Sequence, residues 1–552
     1  MNINGSQIVV NVLLENEVDV VFGYPGGTIL NVYDALYNNS DKITHIMTAH
    51  EQGASHAADG YARATGKTGV VLATSGPGST NLVTGIATAY MDSVPMVAIT
   101  ANVPNSLIGR DSFQEIYIAG VTMPITKHNF IVRKVEDLAD TLRKAFKIAI
   151  SGRPGPVLVD IPKDVTAAMC EYTPEPKQIP DRQMSYSGDN LEEIAKVINN
   201  AKKPAILFGG GIKNSNADKI LKRIIEKANI PAAHTLMAVG VLRWDMKENL
   251  GMAGMHGSVV ANRALDEADV VIAIGSRFSD RVALTPSKFA KKATIIQIDI
   301  DQSEIDKNVK TDYHVIGDAE KVLGEMESLI ETTTHDEWFN ELNSMRRDVP
   351  YSTGGGKLHP KEIMDIISET AGEDGLFVTD VGQHQMWAAQ YLHHVKSENF
   401  LTSAGLGTMG YGYGAAIGAA IGTGKDHVFH ITGDGSFHMN MNEACTAVSY
   451  EVPVISVCVN NEVLGMVRQW QTMFYGKRYS STDPCRKTNY VKVAEGFGAK
   501  GFSCRTADEF RAALDEAMKC TGPVWIECLI DKDERVLPMI PGGGTVDDII
   551  YE

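Results

Sequence analysis

Two stretches of the chain put oxygen donors and glycines where a charged ligand could be held. The run HITGDGSFHMN sets Gly433, Asp434, Gly435 and Ser436 directly after an apolar segment, and Asn461 follows 27 residues past Asp434 at the close of the next one, PVISVCVNN. A carboxylate and an amide oxygen at adjacent strand ends suit a hard divalent cation such as Mg²⁺, which keeps water and phosphate oxygens in its shell. The two glycines let the backbone approach a diphosphate, and a following helix N-terminus favours the anion. Gly-Asp-Gly alone reads first as a turn; the Asn-Asn pair at that spacing makes it specific. The second stretch is TAHEQGASHAADGYARATG, with Glu51 at a strand-to-helix junction. Taken alone, Glu51 is a surface acid stabilised by about 0.3–1 kcal/mol at a helix N-terminus.

The elements that must carry these residues are short apolar runs alternating with helical patterns. Strands are expected at 19–25, 43–49, 68–74, 95–101 and 156–161; at 205–210, 269–275 and 294–300; and at 376–381, 427–434, 453–460 and 523–530. Val- and Ile-rich runs of that length between helices imply buried parallel sheets. Pro- and Gly-rich stretches read as linkers at about 171–190 and 349–360, the second holding Gly354, Gly355 and Gly356. The fold class is therefore α/β, with three doubly wound parallel-sheet domains over 1–170, 190–340 and 358–552. Ligands in such folds sit at the carboxyl ends of strands.

A net charge of −17 over 552 residues argues against nucleic acid or an anionic membrane as partner. No secretory signal opens the chain, and no apolar run nears the 18 residues of a membrane span. Seven cysteines without a CxxC pair fit reduced thiols, so a cytoplasmic protein is expected.

With these residues in hand, nearly the whole chain resembles the catalytic large subunit of acetolactate synthase, a thiamine diphosphate enzyme. The resemblance implies a pyrimidine-binding first domain, a Rossmann-like central domain and a diphosphate-binding third domain. It makes Asp434, Asn461 and the Val463 carbonyl the Mg²⁺ ligands, beside Gly433, Gly435 and Ser436. It puts Val381, Gly382, Gln383 and His384 on the diphosphate, and Gly407 and Met409 beneath the cofactor. Glu51, with Tyr24, Pro25 and Gly26 nearby, would bond the aminopyrimidine ring and prompt loss of the thiazolium proton. In this family that glutamate serves a cofactor bound by another subunit, which implies a homodimer or higher homo-oligomer.

The substrates implied are pyruvate and 2-ketobutyrate. Met466, Val467 and Trp470, in GMVRQWQ, resemble residues over the active centre. Phe113 and Gln114, in GRDSFQE, resemble a pocket for the first keto acid, and Lys163, in DIPKD, a residue near the channel. Arg281 is the candidate for the second substrate's carboxylate, but the family's RFDDRVTG reads RFSDRVALT here. FAD is implied in the central domain by Gly209, Gly210 and Gly211, Thr235, Leu236 and Met237, His256, Gly275 and Arg277, Asp299 and Asp318, with Arg153 from the first domain. None of these forms a G-x-G-x-x-G, and a Rossmann-like domain kept for structure also fits; the retained RFxDR favours flavin. Sister readings are an FAD-dependent pyruvate oxidase, a simple 2-keto acid decarboxylase and a catalytically silent scaffold subunit. The family's catalytic chains also bind a small regulatory subunit, whose interface no motif marks.

Overall fold

A computed structural model describes residues 1–178, 186–347 and 357–551. Parallel strands covered by helices on both faces must be apolar on both. Met96–Asn102, Pro156–Pro162 and Val454–Asn460 are accordingly buried at every residue. Each fully buried Val, Leu or Ile side chain contributes about 1.5–3 kcal/mol.

The first domain has a six-stranded parallel sheet in the order Thr44–Met47, Val20–Tyr24, Gly69–Ala73, Met96–Asn102, Pro156–Pro162, His128–Ile131. The third has Phe400–Thr402, Phe377–Thr379, Val428–Gly433, Val454–Asn460, Val524–Leu529, Lys500–Cys504, also all parallel. Counted in chain order, both sheets read 2-1-3-4-6-5. The central sheet differs. Its six parallel strands, Asn249–Met252, Ala232–His234, Pro204–Phe208, Val270–Ile274, Thr294–Asp299 and Tyr313–Ile316, read 3-2-1-4-5-6. That is the dinucleotide-binding order, with a crevice where the order reverses.

All the expected strands form. The structure adds shorter ones at sheet edges, among them His128–Ile131 and Lys500–Cys504, which are partly exposed and lack a solid apolar run. Residues 179–185 and 348–356, in the two expected linkers, lie outside the described residues. The flanks of those segments are not simple linker: Ser187–Gly188 pairs antiparallel with the central sheet, and a helix begins at Pro360, capped by the His359 side chain.

The helix Glu51–Thr65 packs against Tyr411–Thr423 of the third domain. A Cβ on Gly60 would collide with the Ala415 carbonyl oxygen, and one on Gly418 with that of Ala57. Glycine is needed because the two backbones touch. This close seam joins two domains of the same chain. Glu443, fully buried, accepts the N–H groups of Ala49 and His50 at 3.1 Å each and fixes the start of that helix. Among the described residues no helix is long and apolar enough to cross a membrane.

Candidate cofactor and active site

Asp434 is the first residue of the helix Asp434–Asn440, directly after its strand, and Asn461 lies one residue past Val454–Asn460. These strands are neighbours, with Gly433 opposite Val459. Asp434 and Asn461 are 4% and 6% exposed, so both oxygens sit in a dry edge. Burial pushes the Asp434 carboxyl up to about 6, a cost that a cation would relieve. Val463 is buried, after a left-handed turn at Glu462 (φ +61°).

His384 faces this edge from the helix Gln383–Tyr391. Its Nε2 is buried without a partner, and burial pulls its pKa down to about 4, leaving a neutral ring able to donate one N–H. A Cβ on Gly433 would lie 2.7 Å from His384 Nδ1. Gln383 accepts from Asn461 Nδ2 at 3.0 Å. Ser436 Oγ accepts the Gly410 N–H at 2.9 Å, tying the segment of Gly407 and Met409 to the Asp434 helix. Met409 Cε comes within 3.7 Å of a Cβ built on Gly435.

Glu51 opens its helix, 8% exposed, and accepts Asn81 Nδ2 at 2.9 Å. Around it converge the strand-end loops holding Tyr24, Pro25 and Gly26 and residues 74–78: a Cβ on Gly26 would meet Thr74 at 2.5 Å, and one on Gly78 would lie 3.2 Å from Glu51 Oε1. Gln114, in a left-handed conformation (φ +60°), reaches the same loop, 2.9 Å from a Cβ built on Gly76. Its neighbour Phe113 is 86% exposed. Lys163 starts a short helix at the carboxyl end of Pro156–Pro162. The hydrogen bond to Glu51 comes from its own domain, and Glu51 and the pair Asp434 and Asn461 stand at strand ends of different domains of one chain.

A cavity of about 950 Å³ opens at the reversal point of the central sheet. Arg153, Gly210, Gly211, Thr235, Leu236, Met237, His256, Gly275, Arg277, Arg281, Asp299 and Asp318 line it. Gly209 stands behind the lining, where a Cβ would collide with the Gly275 carbonyl. The cavity continues to Val381, Gly382, Gly407, Met466 and Trp470 of the third domain, so the two sites share one space. His256 Nδ1 and Glu304 Oε2 are buried there without partners. Burial pushes Asp299 up to about 6. Arg153 is held by Glu304 at 2.8 Å and Ser93 at 2.8 Å. In the altered RFSDRVALT segment the Arg281 guanidinium stays exposed beside Asp280, while its carbonyl accepts the Met255 N–H at 2.9 Å. Trp470 stacks obliquely on Phe474, centroids 5.3 Å apart, and Val467 is half exposed on the same helix.

Asn81, Glu443 and Gln469 were missed from the sequence. Asn81 could have been suspected from its setting in TSGPGSTN after a strand, and Gln469 from its place in GMVRQWQ; Glu443 has no local signal.

Family models for thiamine pyrophosphate enzymes match the chain three times: the N-terminal TPP binding domain over 3–122, the central domain over 191–326 and the C-terminal TPP binding domain over 380–528. The sheets described above fall in that order, and the class is that of thiamine pyrophosphate enzymes. Full-length similarity narrows it. The chain is 44% identical to an acetolactate synthase of Mycobacterium bovis, covering 99% of this chain and 91% of that one. It is 43% identical to the mitochondrial acetolactate synthase catalytic subunit of Saccharomyces cerevisiae, covering 100% and 84%. It is 41% identical to the acetolactate synthase isozyme 2 large subunit of Escherichia coli K12, covering 99% of each. The chain belongs to the acetolactate synthase large-subunit family and is a thiamine diphosphate-dependent transferase.

Proposed function

We propose that the chain condenses two pyruvates, with loss of carbon dioxide, to 2-acetolactate, or pyruvate with 2-ketobutyrate to 2-aceto-2-hydroxybutyrate, in branched-chain amino-acid biosynthesis. The observation that carries the reading is the buried pair Asp434 and Asn461 at adjacent strand ends beside the unpartnered His384 Nε2. These residues would suit Mg²⁺ together with a diphosphate. Asp434, Asn461 and the Val463 carbonyl hold the cation. Val381, Gly382, Gln383, His384 and the Gly433–Ser436 turn receive the phosphate oxygens. Bound thiamine diphosphate supplies the electron sink that lets a 2-keto acid lose its carboxylate.

The chain's own residues do the rest. Glu51 holds and moves a proton at the pyrimidine end. Met466, Val467 and Trp470 shape the apolar wall against which the second keto acid is held, and exclude water from it. Phe113, Gln114 and Lys163 approach from the first domain. Arg281, exposed at the cavity mouth beside Asp280, pairs with the acceptor's carboxylate.

FAD fits the central cavity: the strand order is that of dinucleotide binders, and His256 and Glu304 each leave a buried polar atom unpartnered in or beside the lining. A homodimer completes the site. Tyr117 and Met123 on the first domain, and Val467, Phe474 and Tyr475 on the third, are 43–64% exposed. A second copy covering these residues would also bring Glu51 to its partner's cation edge. The relatives' designation as large or catalytic subunits supports a small regulatory subunit as a further partner. Seven free thiols suit a reducing compartment such as the cytoplasm.

The test is a product assay with pyruvate, thiamine diphosphate, Mg²⁺ and FAD. Acetolactate is expected, with loss of rate when flavin is withheld. Acetaldehyde alone, or oxygen uptake with acetyl phosphate, would move the enzyme to a decarboxylase or oxidase.

A further inference from the structure

We infer that Gln469 is a positioning residue for the cation site: it decides which end of the Asn461 amide faces the metal. This rests on Asn461 being a metal ligand. Gln469 is 3% exposed on the helix Gly465–Phe474. The Val536 N–H donates to its Oε1 at 2.9 Å, and its Nε2 donates to the Val536 carbonyl at 3.1 Å. A backbone amide cannot exchange donor for acceptor, so this pair of bonds allows Gln469 one orientation only.

The direction then passes on. Gln383 Nε2 donates to Gln469 Oε1 at 3.0 Å and to the Glu534 carbonyl at 2.8 Å. With two acceptors about its nitrogen, Gln383 must turn its oxygen the other way, where it accepts Asn461 Nδ2 at 3.0 Å. The Asn461 oxygen is left with the Val463 N–H at 3.3 Å and capacity for a second partner. An asparagine amide turned over would present N–H groups to the cation, and the two orientations have nearly the same shape. Gly465 makes the arrangement possible, since a Cβ there would collide with Gln383 Oε1. The relay thus begins in the backbone near residue 536 and ends at the metal.

The experiment measures Mn²⁺ binding to the whole enzyme with thiamine diphosphate and no substrate, from the paramagnetic resonance of free Mn²⁺. Gln469→Met, of similar volume, should weaken Mn²⁺ by about 10–100-fold, the range for an outer-shell partner. Gln469→Glu keeps an oxygen for Gln383 and the Val536 N–H but sets a second acceptor against the Val536 carbonyl, so it should recover only part of that loss. In an Asn461→Asp background either oxygen can ligate, so adding Gln469→Met should cost less than about threefold. Equal losses in both backgrounds, or none in either, would overturn the orientation role. If the Met variant does not fold, Gln469→Asn, one methylene too short to span Val536 and Gln383, should show the same loss. Asn461→Ala separates the two readings. Unchanged Mn²⁺ affinity there removes the metal-ligand reading itself, whereas lost affinity there with full affinity in Gln469→Met removes only the role of Gln469.

Discussion

In both the first and the third domain an asparagine closes the fourth strand and donates its side-chain N–H to an acid on the sixth: Asn102 to Asp160 at 2.6 Å, and Asn460 to Glu527 at 2.7 Å. The registers agree as well, Thr100 pairing with Asp160 and Cys458 with Glu527. Followed across the sheets, this correspondence sets Tyr24-Pro25-Gly26-Gly27 where the third domain has Asp380-Val381-Gly382-Gln383. It sets Ser75 at the position of Asp434 and Val103 at that of Asn461. The frame is shared and the ligand oxygens are not. A valine offers no side-chain oxygen, so a hard cation has no reason to prefer the first domain's edge. That domain instead carries Glu51 on the helix after its second strand. On the proposed reading, two copies of one topology take opposite ends of one cofactor, and a few residue types at strand ends decide which.

The largest test of this division is Glu51→Gln, which should slow turnover by about 10²–10⁴-fold, the usual worth of a positioned acid–base, while the affinity for Mg²⁺ and thiamine diphosphate stays near the parent's in a binding titration. A variant with full kcat would end the assignment. Asp434→Ala should do the converse, weakening Mg²⁺ by more than the roughly tenfold of an outer-shell loss, with activity partly restored at high Mg²⁺. Gly418→Ala should disturb neither chemistry but strain the helix seam by about 1–3 kcal/mol, seen as a lower midpoint in thermal unfolding. Smallest is Asp160→Asn. Burial pushes this carboxyl up to about 6 from an ordinary value near 4. Its ionisation therefore opposes folding, and the stability present below pH ~4 is lost as pH rises through about 6. The amide variant should gain about 1 kcal/mol over the parent at pH 7, and the gain should vanish by pH 4 in denaturant titrations.

Much of this was legible in the chain itself. Asp434 and Asn461 close solid apolar runs, and such runs survive as central strands because both faces are buried. Glu51 and the central glycines also stand at strand ends, but their roles rest on the family resemblance. Edge strands such as His128–Ile131 were not legible, because a half-exposed strand of four residues needs no apolar pattern. The relay through Gln469 was also hidden: its members at 383, 461, 469 and 536 meet only after three separate segments fold together. So was the return of the C-terminal tail, where the Ile540 N–H reaches the Met255 carbonyl at 2.8 Å.

The glycine seam between Glu51–Thr65 and Tyr411–Thr423 has a consequence for how the chain is made. About 350 residues separate its two halves, and at about 5–20 residues per second the first half waits tens of seconds on the ribosome for the second. The middle of the waiting face is Gly53, Ala57 and Gly60, flanked by His56 and Tyr61, so its centre offers a nascent first domain little apolar side chain to stick by. A seam of leucines would hold the finished enzyme as well, but would expose every growing chain to its neighbours before its own partner helix had been synthesised.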